Sequence, residues 1–176
     1  MQAIQTKYNG YKFRSRLEAR WAVFFDAAGI EYQYEPEGFK LDDGTMYLPD
    51  FYLPNVRTRS YEKEYDEGIW VEVKGKMNPE DLRKIDLFSK TNKILVIGDV
   101  PKSYDDIEID YNMIYWSWNF IDGDSYWAYF SKDLNGNVWL AGPEWDEYYD
   151  GFERLNSAYT KARQARFEHG EVPDDD

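Results

Sequence analysis

The chain has 176 residues, 43% of them hydrophobic and 19% aromatic, with a formal net charge of −13, which suits one domain, with or without an appendage, and a substantial core. It contains no Cys, which excludes disulfides and thiolate metal centres. No stretch is apolar for the length of a membrane helix, and the opening Met1-Gln2-Ala3-Ile4-Gln5 lacks the apolar run of a secretory signal, so a soluble, cytoplasmic protein with no membrane partner is expected.

Residues 14–28 are predicted to form a helix. Leu17, Trp21, Phe24 and Ala28 recur at helical spacing, Ser15 and Glu18 have capping-box spacing, and Gly29 follows as a stop. Residues 30–36 alternate, with Ile30, Tyr32 and Tyr34 on one side and Glu31, Gln33 and Glu35 on the other, and read as a strand. A turn at Asp42-Asp43-Gly44 leads to a second strand over 46–53, closed by Pro54-Asn55. Residues 57–68 are charged and rich in Tyr without a period, and read as a loop, and 69–74 form a third strand.

A second helix starts with Asn78 as N-cap, Pro79 in the first helical position and Glu80 and Asp81 in the first turn, and Leu82, Ile85 and Phe88 form its expected buried stripe. The apolar run 93–97 reads as a buried strand paired in parallel. The order α-β-β-β-α-β predicts an α/β fold with a central mixed sheet flanked by helices. Beyond residue 100 the character changes. Segments 126–130 and 138–141, joined through Asp133-Leu134-Asn135-Gly136-Asn137, read as a hairpin, and 152–167 as a final helix. The expected organisation is a core over 1–100, a β-rich appendage with a terminal helix over 101–170, and a disordered acidic tail over 171–176.

The candidate chemistry lies in the core. On a strand, residues two apart share a face, so Glu72 and Lys74 point one way and Val71 and Val73 the other. An Asp on the neighbouring strand, Asp50, can lie opposite them. One Mg²⁺ could then bridge Asp50 and Glu72, with the backbone carbonyl of Val73 and waters completing the shell, and Mn²⁺ as a substitute. Glu18, from the first helix, could join the first shell or hold a water, or it could be only the capping partner of Ser15. Lys74 could orient or deprotonate an attacking water, or neutralise charge on a phosphate.

Pro49-Asp50 followed by Glu72-Val73-Lys74 resembles the signature of the PD-(D/E)xK phosphodiesterase superfamily. The stretches Tyr11-Lys12-Phe13-Arg14-Ser15-Arg16-Leu17-Glu18-Ala19-Arg20-Trp21-Ala22 and Tyr34-Glu35-Pro36-Glu37-Gly38-Phe39 look like a group of bacterial and phage nuclease-like proteins within it. The resemblance implies a restriction-endonuclease-like core over about 14–98 and a Mg²⁺-dependent endonuclease. Glu18, Asp50 and Glu72 would be its metal-site acids and Lys74 its catalytic lysine, acting on DNA, with branched or otherwise structured DNA among the substrates it implies. Helix-borne Glu18 also looks like the first acid of Holliday-junction resolvases and transposon-end nucleases. Members of the group often carry a cysteine-rich knuckle where this chain has residues 139–145, and with no Cys here a zinc subsite is ruled out.

The charge is unevenly spread. Residues 1–26 carry Lys7, Lys12, Arg14, Arg16 and Arg20 against Glu18 and Asp26, a net of +3, whereas 99–150 carry a net of −10. A basic end can steer an anion while the whole molecule is acidic. Lys12, Arg14, Arg16, Arg20 and Lys76 are therefore the expected nucleic-acid contacts. Two other readings stand beside the DNA nuclease: an inactive acidic binding or DNA-mimic protein on a nuclease scaffold, and an RNA nuclease. A homodimer or a protein partner is open under each.

Overall fold

The structure, a computed structural model, describes residues 4–60, 63–103, 106, 114–117, 125–126, 128–141 and 149–167. It is a mixed α/β fold. A six-stranded sheet runs, in spatial order, Ser125–Tyr126, Ile114–Ser117, Ile94–Ile97, Ile69–Val73, Phe51–Leu53 and Gln33–Tyr34. Ile94–Ile97 and Ile69–Val73 pair in parallel and the other neighbours antiparallel, so the sheet is mixed. Counting only its strands, the chain order from the first helix is helix, three strands, helix, three strands, of which the part up to Ile97 is the expected α-β-β-β-α-β.

The first helix, Arg16–Ala28, begins at Ser15, whose hydroxyl oxygen accepts from Glu18 N–H, and ends at Gly29 in the left-handed region (φ 73°). Trp21, Phe24, Phe25 and Ala28 are buried against one face of the sheet, beside Phe51, Val71, Leu95 and Ile97. The second helix, Pro79–Ser89, has the expected Asn78 cap, in a capping box with Asp81. It covers the opposite face, where Ile85 and Phe88 pack with Leu41, Tyr47, Ile94 and Val96. Leu82 is not part of its buried stripe but 50% exposed.

Several expected boundaries shift. The strand over 30–36 shrinks to Gln33–Tyr34, because Glu35 turns into the left-handed region (φ 45°). The strand over 46–53 breaks at Leu48-Pro49-Asp50. Met46–Tyr47 pairs with Phe39–Lys40 in a separate hairpin, and only Phe51–Leu53 enters the main sheet. Pro49, with no N–H to give a ladder, marks the break. The expected loop over 57–68 is instead a hairpin of Arg57–Ser60 and Lys63–Tyr65. It joins a second, four-stranded sheet through parallel pairing of Arg57 and Thr58 with Trp139 and Leu140. The late hairpin pairs Tyr129–Lys132, not 126–130, with Val138–Ala141. The single final helix becomes two, Tyr149–Glu153 and Asn156–Gln164. The tail at 171–176 lies outside the described residues.

The position taken as a boundary, residue 100, runs through a shared sheet and a shared core. Strands from 114–126 extend the sheet. Tyr159 of the closing helix stacks on Phe24 of the first (centroids 4.4 Å apart) and on Phe152 (5.0 Å), and Phe130 lies 5.5 Å from Phe24. No helix among the described residues is long and apolar enough to cross a membrane.

Tyr159 carries a cost at the centre of this core. Its ring is buried and its hydroxyl has no hydrogen-bond partner among the described residues. An unmatched buried hydroxyl costs about 1–3 kcal/mol. Tyr159→Phe keeps the ring and removes the cost, so it is expected to raise stability by about 1 kcal/mol, measured as a higher urea midpoint at an unchanged m-value.

Candidate functional site

Glu72 lies inside Ile69–Val73, and its parity sets it on the face covered by the second helix, with Trp70 and Val96. Phe51 is opposite Val71 and Tyr52 opposite Trp70. One residue further in the same register, Asp50 stands across from Glu72. The oxygen Oδ2 of Asp50 accepts from the N–H of Val73 at 2.8 Å. In a strand the N–H and C=O of one residue point to the same side, so the Val73 carbonyl is turned toward Asp50 as well. Asp50, Glu72 and Glu18 are 8%, 5% and 7% exposed, so none of the three lies on a solvated face.

Each acid has a holder. Tyr47 Oη–H donates to Glu72 Oε2 at 2.8 Å. Lys74 Nζ sits 3.2 Å from Glu72 Oε1 and 3.2 Å from Asp81 Oδ1. Glu18 accepts from the Tyr34 hydroxyl at 2.6 Å, the Ser15 hydroxyl at 2.8 Å and Arg14 N–H at 3.2 Å. Its N–H is capped by Ser15 Oγ, but its carboxylate accepts from the Arg14 N–H and not the Ser15 N–H of a capping box, and it is engaged at both oxygens.

Electrostatics tie the three acids together. Burial, then the charges of Glu72 and Glu18, hold the Asp50 carboxyl well above the usual aspartate range, against the opposing pull of the Val73 N–H and Lys74. Burial also raises Glu72, against Lys74 and the Tyr47 hydroxyl. Burial alone would depress Lys74, but the charges of Glu72 and then Asp81 outweigh it and hold its pKa above the ordinary value. Lys74 is thus an ammonium, suited to neutralising charge and positioning a group rather than to abstracting a proton. Burial and the neighbouring carboxylates push Tyr34 and Tyr47 up, so both remain hydrogen-bond donors.

Among the described residues, no three Asp, Glu, His or Cys side chains stand grouped so that they could hold a metal ion. What the fold brings together is Asp50, Glu72 and Lys74, with the charge of Glu18 felt at Asp50 but its oxygens engaged elsewhere. The basic residues are dispersed. Lys12, Arg14 and Lys76 are exposed, and Arg14 is paired with Glu35 at 2.6 Å. Arg16 and Arg20 leave the helix about 200° from Glu18, on its far side. Proximity in sequence to Glu18 did not make them its neighbours in space.

Three residues of the site were not singled out from the sequence: Tyr34, Tyr47 and Asp81. Asp81 was legible only as a first-turn acid of the second helix, and its contact with Lys74 depends on how that helix packs. Tyr34 and Tyr47 were two of 16 tyrosines, with nothing local to mark them. Comparison of the chain with protein-family models, with curated proteins and with solved structures gives no match.

Proposed function

We propose that this chain is a divalent-metal-dependent nuclease that hydrolyses DNA phosphodiester bonds, a member of the PD-(D/E)xK group that its Pro49-Asp50 and Glu72-Val73-Lys74 resemble. The observation that carries this reading is the pairing of two buried carboxylates, Asp50 and Glu72, across adjacent strands, with the Lys74 ammonium against Glu72 and its charge felt at Asp50. The helix, three strands, helix, strand order that the chain follows up to Ile97 supports a restriction-endonuclease-like core.

The donor chemistry fits the ion. Asp50, Glu72 and the Val73 carbonyl are hard oxygen donors of the kind Mg²⁺ and Mn²⁺ take, and Mg²⁺ needs few of them because it retains waters. A divalent cation would also offset the charges of Glu72 and Glu18 that, after burial, raise Asp50. When bound, it would supply Lewis acidity toward the phosphate and acidify water at neutral pH. The protein's own parts are distinct. Tyr47 fixes the Glu72 carboxylate, the Val73 N–H fixes Asp50, and Asp81 holds Lys74 beside Glu72 when the carboxylate is engaged otherwise. Glu18 contributes negative potential and the rigidity of its three hydrogen bonds. Lys74 offsets charge that builds on the phosphate as the water oxygen bonds to phosphorus and the ester oxygen leaves.

The test is a cleavage panel of linear, nicked, single-stranded, flap and four-way DNA, with RNA alongside, in Mg²⁺, Mn²⁺ and EDTA. Cleavage of at least one DNA is expected only with a divalent ion, and Lys74→Ala is expected to lower its rate by about 10²-fold or more. No cleavage of any DNA, or equal cleavage by Lys74→Ala, would overturn the proposal. Cleavage confined to RNA would reassign the substrate.

A further inference from the structure

Arg16 and Arg20 stand apart from the other arginines whose side chains are described. Arg14 and Arg83 pair with acids. Arg154 and Arg163 donate to carbonyl oxygens, Arg57 lies over the Trp139 ring, and Arg166 also has a partner. Arg16 and Arg20 make no ion pair or hydrogen bond among the described residues, in a chain with 34 acidic residues to choose from. Both are half-buried, and the Nε atom of each is enclosed with no acceptor. This differs from ordinary surface arginines, whose donors are met by water.

An enclosed N–H without an acceptor is destabilising, because it has lost water and gained no partner. The protein therefore holds two adjacent guanidiniums in a conformation from which an anion gains by drawing them outward. The two lie one helical turn apart, with a rise of about 6 Å, and present a doubly charged stripe on the far side of the helix from Glu18. Guanidinium groups match phosphate oxygens in a planar, two-pronged geometry that a lysine or a carboxylate partner does not reproduce.

We infer that Arg16 and Arg20 form a phosphate-binding pair that grips the backbone of a DNA strand outside the Asp50–Glu72 pair, along the outer face of the first helix. The choice of DNA as ligand rests on the nuclease reading. The grip itself reads no sequence. It would hold DNA along that outer face, across the sheet from the face that carries Glu72.

Binding of a 30-base-pair duplex, followed by fluorescence anisotropy in EDTA from 50 to 200 mM salt, tests the pair without cleavage. Each neutralised phosphate adds about 0.9 to the slope of log affinity against log salt. The double variant Arg16→Ala/Arg20→Ala is expected to lose about 1.8 from that slope, so that the wild type's affinity falls about 12-fold further over this range. Arg16→Lys/Arg20→Lys keeps the charges and is expected to keep the slope while binding more weakly. An unchanged slope in the Ala pair, a slope lost equally in the Lys pair, no duplex binding at any salt, or equal affinity for polyglutamate would each overturn the inference. A slope that falls as expected in a protein that cuts nothing leaves the pair standing and removes the nuclease. Cleavage with an unchanged slope does the reverse.

Discussion

Asp50→Asn is expected to lower ion-dependent cleavage by about 10³-fold or more, the scale on which removing one member of a catalytic set acts, and at the same time to make the protein more stable. The amide oxygen of Asn can still accept the Val73 N–H, which is 2.8 Å from Asp50 Oδ2, so the fold keeps its local bond. The substitution removes a buried charge that faces Glu72 and feels Glu18.

The sign of the stability effect follows from the raised carboxyl. Below the unfolded pKa of about 3.9 Asp50 is protonated in both states and costs nothing. As the pH rises, the unfolded chain ionises first, and the folded state is penalised increasingly until the pH passes the higher folded value. Asn carries no such penalty. The variant's advantage should therefore be small at pH 4 and widen toward neutrality. There it should reach on the order of 1–2 kcal/mol, the size of gain typical when a strained functional position is relieved. For a chain of this length that is about 2–8 °C in Tm.

Adding Mg²⁺ should raise the Tm of the wild type, by an amount equivalent to about 2.7 kcal/mol at a hundred times the dissociation constant, and leave Asp50→Asn unmoved. Thermal melts at pH 4 to 8 with and without the ion read all of this. A variant that is destabilised across the whole range, or that still responds to Mg²⁺, would refute the assignment of Asp50.

A chain ending at residue 100 is expected not to fold. The first helix presents Trp21, Phe24 and Phe25 to Phe130 and Tyr159, with ring centroids 4.4 to 6.5 Å apart. Phe152, Leu155, Ala158 and Ala162 lie in the same core. Burying one large apolar side chain contributes about 1.5–3 kcal/mol. Losing Phe130, Phe152, Leu155 and Tyr159, together with the partners they cover, removes more than about 10 kcal/mol. That matches the whole net stability of an ordinary domain, about 5–15 kcal/mol. Truncation would also expose the edge of Ile94–Ile97 that now pairs with Ile114–Ser117. Near-UV circular dichroism and amide proton dispersion of the fragment are the measurements. A cooperative melt from the fragment would mean that the first hundred residues are an independent domain after all.

Local chemistry along the chain was enough to place the two principal helices. Ser15, Gly29, Asn78 and Pro79 set their ends because caps act within one turn and need no distant partner. It was also enough to set Glu72 and Lys74 on one face and Val71 and Val73 on the other, since strand parity is a property of the backbone. Packing decided the rest. Residues 57–68 carry no period of their own and become strands by pairing with Trp139 and Leu140, some eighty positions away, a contact that no local pattern encodes. Tyr34, Tyr47 and Asp81 reach the site only because a strand, a hairpin and a helix converge on one corner of the sheet. Arg16 and Arg20, two positions either side of Glu18, end on the opposite side of the helix, because 3.6 residues per turn separate what the sequence places together.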